Sequence, residues 1–264
     1  MVQRPRPRRP HAPAQPPSPT PARDDDETIQ GLHAGLAVFA KRPDAVLRVA
    51  FSRAVRSEVG ALARWAADRG VPCHETSDGE LDRIAGGSHH EGLCLLARPR
   101  RWLSTGELAD LLARTRGTCL ALDRVRNPYN VGAILRSAAF FGVDALLLGA
   151  PAPHPGLAPT AVRVAEGGVE HLALARTTDL ADTLTRLRQR GVRVVGADGA
   201  AKDDAMDARF ERPAALVLGN EREGLADRVR AQCDTLVAIR GGGAVESLNV
   251  AVAAGVLISR MTSL

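Results

Sequence analysis

At 264 residues the chain is long enough for one large or two medium domains, and its 45% hydrophobic content supports a real core. With aromatics at only 3%, that core must be built from Ala, Val and Leu. The net charge of +5 points to a polyanionic partner, although Arg carries nearly all of it and genome base composition explains such a bias equally well. No apolar run approaches a membrane span and no signal-peptide core follows the N-terminus, so a cytoplasmic protein without a membrane partner is expected.

Eight of the 17 prolines lie before Ala22, among Arg4, Arg6, Arg8 and Arg9, and an acidic run from Asp24 to Glu27 follows. With almost nothing apolar to bury, residues 1–28 are expected to be a disordered tail. From Ile29 the pattern becomes globular. Leu32, Leu36 and Phe39 have helical spacing, and Val46–Phe51 reads as a strand. A helix is expected over Ser57–Arg69, with Ser57 as its N-cap and Gly70 at its end. A short strand at Val71–His74, a helix at Asp78–Ile84 and a buried strand at Gly92–Ala97 complete a small α/β unit, residues 29–98. Residues 99–116, with a helix from Thr105 to Thr115, read as a connector.

The second unit, 117–264, opens with the strand Thr118–Asp123. Further apolar strands are expected at Ala145–Leu148, His171–Ala175, Val192–Ala197, Ala214–Leu218 and Thr235–Ile239, with helices between them at Val131–Phe141 and Leu180–Arg190. Continuous apolar strands alternating with helices imply an α/β fold: a mostly parallel sheet covered on both faces. The last helix shows no polar side from Val250 to Ile258 and is expected to be covered all round. Cys73, Cys94, Cys119 and Cys233 stand far apart with no C-x-x-C spacing, which suits reduced thiols rather than disulfides or a metal site.

Ligands of such sheets bind in loops beyond the strand C-termini. Three loops there carry polar residues: Arg124–Arg136, Gly219–Leu225 and the stretch from Ile239 into the last helix. In the first, Asn130 suits a helix N-cap. In the second, Glu221 and Glu223 suit a plain acidic turn. In the third, Gly241, Gly242 and Gly243 precede Glu246, Ser247 and Asn249. No G-x-G-x-x-G follows the first strand and no P-loop is present, which argues against a nicotinamide dehydrogenase or a P-loop NTPase.

Taken in order, these loops resemble the three motifs of the SpoU (TrmH) family of RNA ribose 2′-O-methyltransferases. The first is Asn127-Pro-Tyr-Asn130-Val-Gly132 with Arg136 and Phe141-Gly-Val143. The second is Leu216-Val-Leu-Gly219-Asn-Glu221-Arg-Glu-Gly224-Leu225, and the third is Val245-Glu-Ser-Leu-Asn249-Val-Ala-Val-Ala. Arg163-Val-Ala-Glu166-Gly-Gly168-Val-Glu170-His171 is similar to a family segment between the first two. Ile29-x-Gly31-x-His33 and His90-Glu91-Gly92 resemble the family's N-terminal RNA-binding domain, though many members have His-Gln-Gly there. Arg240-Gly-Gly-Gly stands where Pro-Met-x-Gly is common.

The resemblance implies a deep trefoil knot at the C-terminal end of the second unit, glycines where chain crosses chain, and a homodimer packed through the last helix. It implies S-adenosylmethionine held by main chain around Leu218, Gly219, Ile239, Leu248 and Asn249, with the Leu and Ile side chains about the adenine. It implies methyl transfer to a ribose 2′-hydroxyl, with Arg136 in the activation step, as stabiliser of the developing alkoxide and grip on the adjacent phosphate or as the base. Asn130 and Glu221 would orient Arg136 and the ribose, and Ser247 and Asn249 would shape the site. Both subunits of the dimer are expected to contribute to one site. The implied RNA is ribosomal, with transfer RNA as the alternative substrate and a non-catalytic RNA-binding protein as the alternative function.

Overall fold

The computed structural model describes residue 23, residues 25–149 and residues 156–263; most of the expected tail lies outside them. The first sheet is built from β1 (Glu27–Gln30), β2 (Val46–Phe51), β3 (Cys73–Glu75) and β4 (Leu93–Ala97), in the order β1-β4-β2-β3. Helices α1 (Leu32–Lys41), α2 (Gly60–Arg69) and α3 (Asp78–Ala85) connect them. Ile29, Val38, Val49, Leu62, Leu93 and Leu95 pack together with hardly any exposure, so these strands form because one face has a core to cover.

Two details correct the sequence reading. The end of the acidic run is not solvated tail: Asp26 lies 3.2 Å from Arg98, and Glu27 opens β1 with its carboxylate 2.7 Å from Arg100. A strand start this acidic is stable because cations from elsewhere in the chain neutralise it. Nor does Ser57 cap a helix. A 3-10 turn at Arg53–Val55 takes up the chain first, the Ser57 hydroxyl donates to Glu58 at 2.6 Å, and α2 begins only at Gly60.

The second sheet contains β5 (Trp102–Leu103), β6 (Thr118–Asp123), β7 (Ala145–Gly149), β8 (Ala173–Thr177), β9 (Arg193–Ala197), β10 (Asp203–Asp204), β11 (Ala214–Leu218) and β12 (Thr235–Ala238). Its eight strands run in the order β10-β12-β9-β11-β6-β7-β8-β5. Every pairing is parallel. Between them lie α4 (Thr105–Thr115), α5 (Pro128–Phe140), α6 (Pro159–Val164), α7 (Leu180–Gln189), α8 (Asp227–Arg230) and finally α9 (Val250–Thr262). The stretch expected as a connector supplies β5 and α4 to this sheet.

Strand alternation divides the apolar residues into two layers. Leu120, Leu122, Leu146, Leu148, Leu216 and Leu218 face α5, α6 and α9, whereas Cys119, Ala121, Leu147, Ala215 and Val217 face α4, α7 and α8. A buried Leu contributes roughly 1.5–3 kcal/mol, so this double layer is what fixes the sheet and the loops above it.

Only part of α9 is covered by its own chain. Val250, Ala254, Leu257, Ile258 and Met261 are buried against α5 and the sheet, but Val252 is 53% exposed and Phe140, at the end of α5, is 82% exposed. Within one chain the helix is covered on one side only. Its other side, with Ala251, Gly255 and Val256, lines an open groove of about 680 Å³ bounded by Phe141 and Met206.

The two sheets are joined by a buried ionic cluster. Glu170, in the 3-10 turn Gly168–His171 before β8, accepts from Arg42 Nε at 2.9 Å and from Arg100 Nε and Nη2 at 3.1 and 3.0 Å. Glu27 of β1 closes the cluster on Arg100 and Arg42. Among the described residues no helix is long and apolar enough to cross a membrane.

Candidate functional site

The C-terminal ends of β6, β11 and β12 deliver the three polar loops to one edge of the parallel sheet. α5 begins with Pro128 at its first turn and Asn127 as N-cap, its side-chain oxygen accepting from the Tyr129 N–H at 3.0 Å. This corrects the capping reading of Asn130: the cap is Asn127, and Asn130 sits inside the first turn with its amide free for other partners.

Those partners are the other two loops. Asn249 is the N-cap of α9, its Oδ1 accepting from Ala251 N–H at 2.8 Å, so its Nδ2 must donate; it does so to Asn130 Oδ1 at 3.1 Å. Asn130 Nδ2 in turn donates to Glu221 Oε1 at 2.5 Å. Three residues from separate loops thus form one directed chain of hydrogen bonds ending on a carboxylate. Glu221 is therefore not the free acid of a plain turn. Asn127, Asn130, Asn220, Glu221 and Arg222 line a cavity of about 300 Å³ at this point.

Sequence reasoning missed the residues that brace this arrangement. Arg124, at φ 58°, pairs with Asp123 and Glu223 and donates to the Gly224 carbonyl at 3.1 Å, tying the first loop to the second. Asn220 Oδ1 accepts from the N–H groups of Arg222 and Glu223 at 2.9 and 3.3 Å, and its Nδ2 donates to the Arg124 carbonyl. An Asn opening a Gly-bounded turn is a recognisable signal for such a bond. The turn is so tight that a Cβ on Gly219 would stand 2.3 Å from the Gly224 carbonyl carbon.

Arg136 is placed elsewhere. It lies six residues beyond Asn130, about 9 Å along α5, and its guanidinium pairs with Glu166 at 2.6 Å rather than with Asn130 or Glu221. Ser247 lies exposed in the loop before α9, with no hydrogen bond to the cluster among the described residues. The glycines of that loop do not mark a tight crossing: a Cβ on Gly241, Gly242 or Gly243 would meet nothing within 4 Å. Only Gly243, at φ 81°, has a backbone that calls for glycine.

Leu218 is buried at the end of β11 with Gly219 after it, and Ile239 follows β12 half-buried on the same apolar layer. Leu248 presents its side chain to solvent at 46% exposure. From Arg240 to Leu248 no backbone group pairs with another backbone group among the described residues. Unspent N–H and C=O groups beside uncovered apolar side chains suit a nucleoside that is read by its edges and buried by its ring, so these residues fit the adenosyl group that the resemblance implies.

Thiol chemistry is disfavoured on the same physical grounds. Burial pushes the Cys119 thiol up to about 12, and those of Cys94 and Cys233 up to about 11, so they stay protonated.

Comparison with known proteins bears on the same regions. Residues 117–259 match the SpoU rRNA Methylase family, and residues 28–103 match a family described as RNA 2'-O ribose methyltransferase substrate binding. The chain is 35% identical over 239 residues to the 23S rRNA (guanosine-2'-O-)-methyltransferase RlmB of Vibrio cholerae, covering 88% of this chain and 95% of that protein. The Vibrio vulnificus protein of the same name is 33% identical over 235 residues, again covering 88% and 95%. Among solved structures, the SpoU methyltransferase AviRb from Streptomyces viridochromogenes, in complex with AdoMet, aligns with a TM-score of 0.74 at 22% identity, covering 90% of each chain. At that identity the likeness speaks for the fold.

Proposed function

Because this chain belongs to the SpoU rRNA methylase family, we propose that it is an enzyme that transfers a methyl group from S-adenosylmethionine to a ribose 2′-hydroxyl of ribosomal RNA. The observation that carries the site is the hydrogen-bonded chain Asn249–Asn130–Glu221, which joins three loops at the ligand-binding edge of the sheet. The relatives' printed activity makes a guanosine of large-subunit ribosomal RNA the first substrate to test. The front unit, 29–98, is read as the part that holds the RNA, and the setting as cytoplasmic.

When bound, S-adenosylmethionine supplies an electrophilic methyl group on a sulfonium; main chain at Leu218, Gly219, Ile239, Leu248 and Asn249 would hold it. The ribose hydroxyl is a weak acid, so the protein must stabilise the oxygen as its proton leaves and aim it at that methyl. A guanidinium is not a free base near neutral pH, so Arg136 is assigned to stabilising the developing alkoxide and gripping the adjacent phosphate. Asn130 and Glu221, fixed to each other, are assigned to the ribose, and Ser247 and Asn249 to the wall of the site.

Since Arg136 stands apart from that cluster within one chain, a homodimer in which both copies contribute to one site is part of the proposal. The uncovered apolar side of α9, next to exposed Phe140, supports it. A deep trefoil knot at the same edge belongs to this reading too, on the strength of the family resemblance.

The test is methylation by purified protein of unmodified large-subunit rRNA, small-subunit rRNA and bulk tRNA with labelled S-adenosylmethionine, followed by alkaline hydrolysis. Label on rRNA that protects the adjoining phosphodiester from cleavage is the expected result. Label on a base or on tRNA alone would redirect the substrate, and cofactor binding without transfer would favour an RNA-binding protein. For the dimer, Val252→Asp is expected to weaken association by about 2 kcal/mol or more, because it buries an unpaired charge. Sedimentation would then show monomer at concentrations where the unaltered protein is dimeric.

A further inference from the structure

The segment Glu166–Gly168 lies between the front sheet and the helix carrying Arg136, and the reading above gives it no role. On one side Gly167, at φ 85°, rests on α1: a Cβ there would stand 2.6 Å from the Ala37 Cβ and 3.1 Å from the His33 carbonyl oxygen. On the other, a Cβ on Gly168 would stand 3.1 Å from the Leu135 carbonyl oxygen and 3.3 Å from the Cα of Arg136. The two glycines therefore let one strand of backbone lie against both helices. Glu166 itself sits at φ 46°, a left-handed conformation that a residue with a side chain adopts only when its surroundings impose it. From there its Oε1 reaches Arg136 Nη1 at 2.6 Å.

Both the backbone and the guanidinium of Arg136 are thus referenced to one tripeptide, and α1 of the front unit holds that tripeptide in place. We propose that Glu166 is a positioning residue for Arg136, and that the packing of α1 on Gly167 sets where Glu166 holds it. The proposal rests on Arg136 acting in methyl transfer as read above. With Nη1 held, the rotamer-rich side chain keeps one direction and the rest of its planar fork remains free for phosphate and the reacting oxygen. The pair is partly exposed, with Arg136 at 58%. An ion pair of that kind adds little to stability, so its effect is geometric. The same contact links RNA capture to chemistry, since any shift of α1 moves Glu166 and with it Arg136.

Glu166→Ala is expected to lower kcat about tenfold or more, the cost of a misdirected group, with KM for rRNA and Kd for S-adenosylmethionine essentially unchanged. Glu166→Gln keeps an oxygen that accepts from Nη1 and is expected to recover most of that loss. A second reading needs no turnover: side-chain NMR of isotope-labelled arginine in the unaltered protein, with the Arg136 signals identified by their disappearance in Arg136→Lys. Slowed guanidinium rotation that becomes fast in Glu166→Ala and stays slow in Glu166→Gln supports the proposal. Unchanged kcat in Glu166→Ala, or equally fast rotation with and without Glu166, overturns it. If the unaltered protein transfers no methyl group, the proposed function fails, and the spectra still decide whether Glu166 positions Arg136.

Discussion

Arg136→Ala is expected to lower methyl transfer on the order of 10²–10³-fold, the range for deleting one preorganised group that meets charge developing in the transition state. Binding of S-adenosylmethionine is expected to stay the same, because the groups assigned to the cofactor lie at the ends of β11 and β12 and in the loop before α9, whereas Arg136 sits on α5. The melting temperature should stay too: the side chain is largely exposed, and its ion pair with Glu166 contributes little to stability. Arg136→Lys should recover little, since an ammonium cannot offer the planar fork that engages a phosphate and a second oxygen together. Cofactor affinity by calorimetry and transfer to rRNA under single-turnover conditions separate the two effects. Full transfer by Arg136→Ala would remove this residue from the chemistry and leave the Asn249–Asn130–Glu221 chain as the centre of the site.

The parts of this fold legible in the sequence are those whose pattern is local. Thr118–Asp123 and Ala214–Leu218 appear with their full bounds because a central parallel strand is apolar on both faces and needs no partner to be recognised. β5 and β10 are two residues each, too short to carry any period. β1 is hidden by its acidic start, whose neutralisation comes from Arg42 and Arg100, 15 and 73 residues away. At α5 the sequence does carry the signal: Pro128 is suited to the first helical position, which makes Asn127 the cap and releases Asn130. The bond from Asn130 to Glu221 spans 91 residues and that from Arg136 to Glu166 spans 30, so only the folded sheet and the α5–α6 packing reveal them. α9 shows the opposite limit. Its composition says that it needs cover on every side but not whether its own chain supplies that cover.

The largest stability effect is expected from a residue remote from the polar loops. Glu170 and Arg100 each have side chains only 6% exposed, and Arg42 completes the group. Glu170→Ala would leave two guanidinium groups facing the single carboxylate of Glu27, and removing one partner from a buried pair costs about 3–5 kcal/mol. For a chain of this size that corresponds to a fall of roughly 6–20 °C in melting temperature. The loss should be smaller if one charge of each sign is replaced together: Glu170→Leu with Arg100→Met leaves Arg42 paired with Glu27, and replacing a buried pair by apolar residues is often close to neutral. Comparing the single and double variants by thermal unfolding distinguishes a cluster that stabilises by net attraction from one whose cost appears only when it is broken. Because the cluster joins β1 and α1 to the turn before β8, the single variant should also loosen the front unit and speed proteolysis near Arg101. It would move Gly167, three residues away, and so the tripeptide on which Arg136 rests. A Glu170→Ala protein that melts with the unaltered one would mean that Glu27 alone compensates both arginines, and the front unit would then be held chiefly by the contacts of α1 and α6.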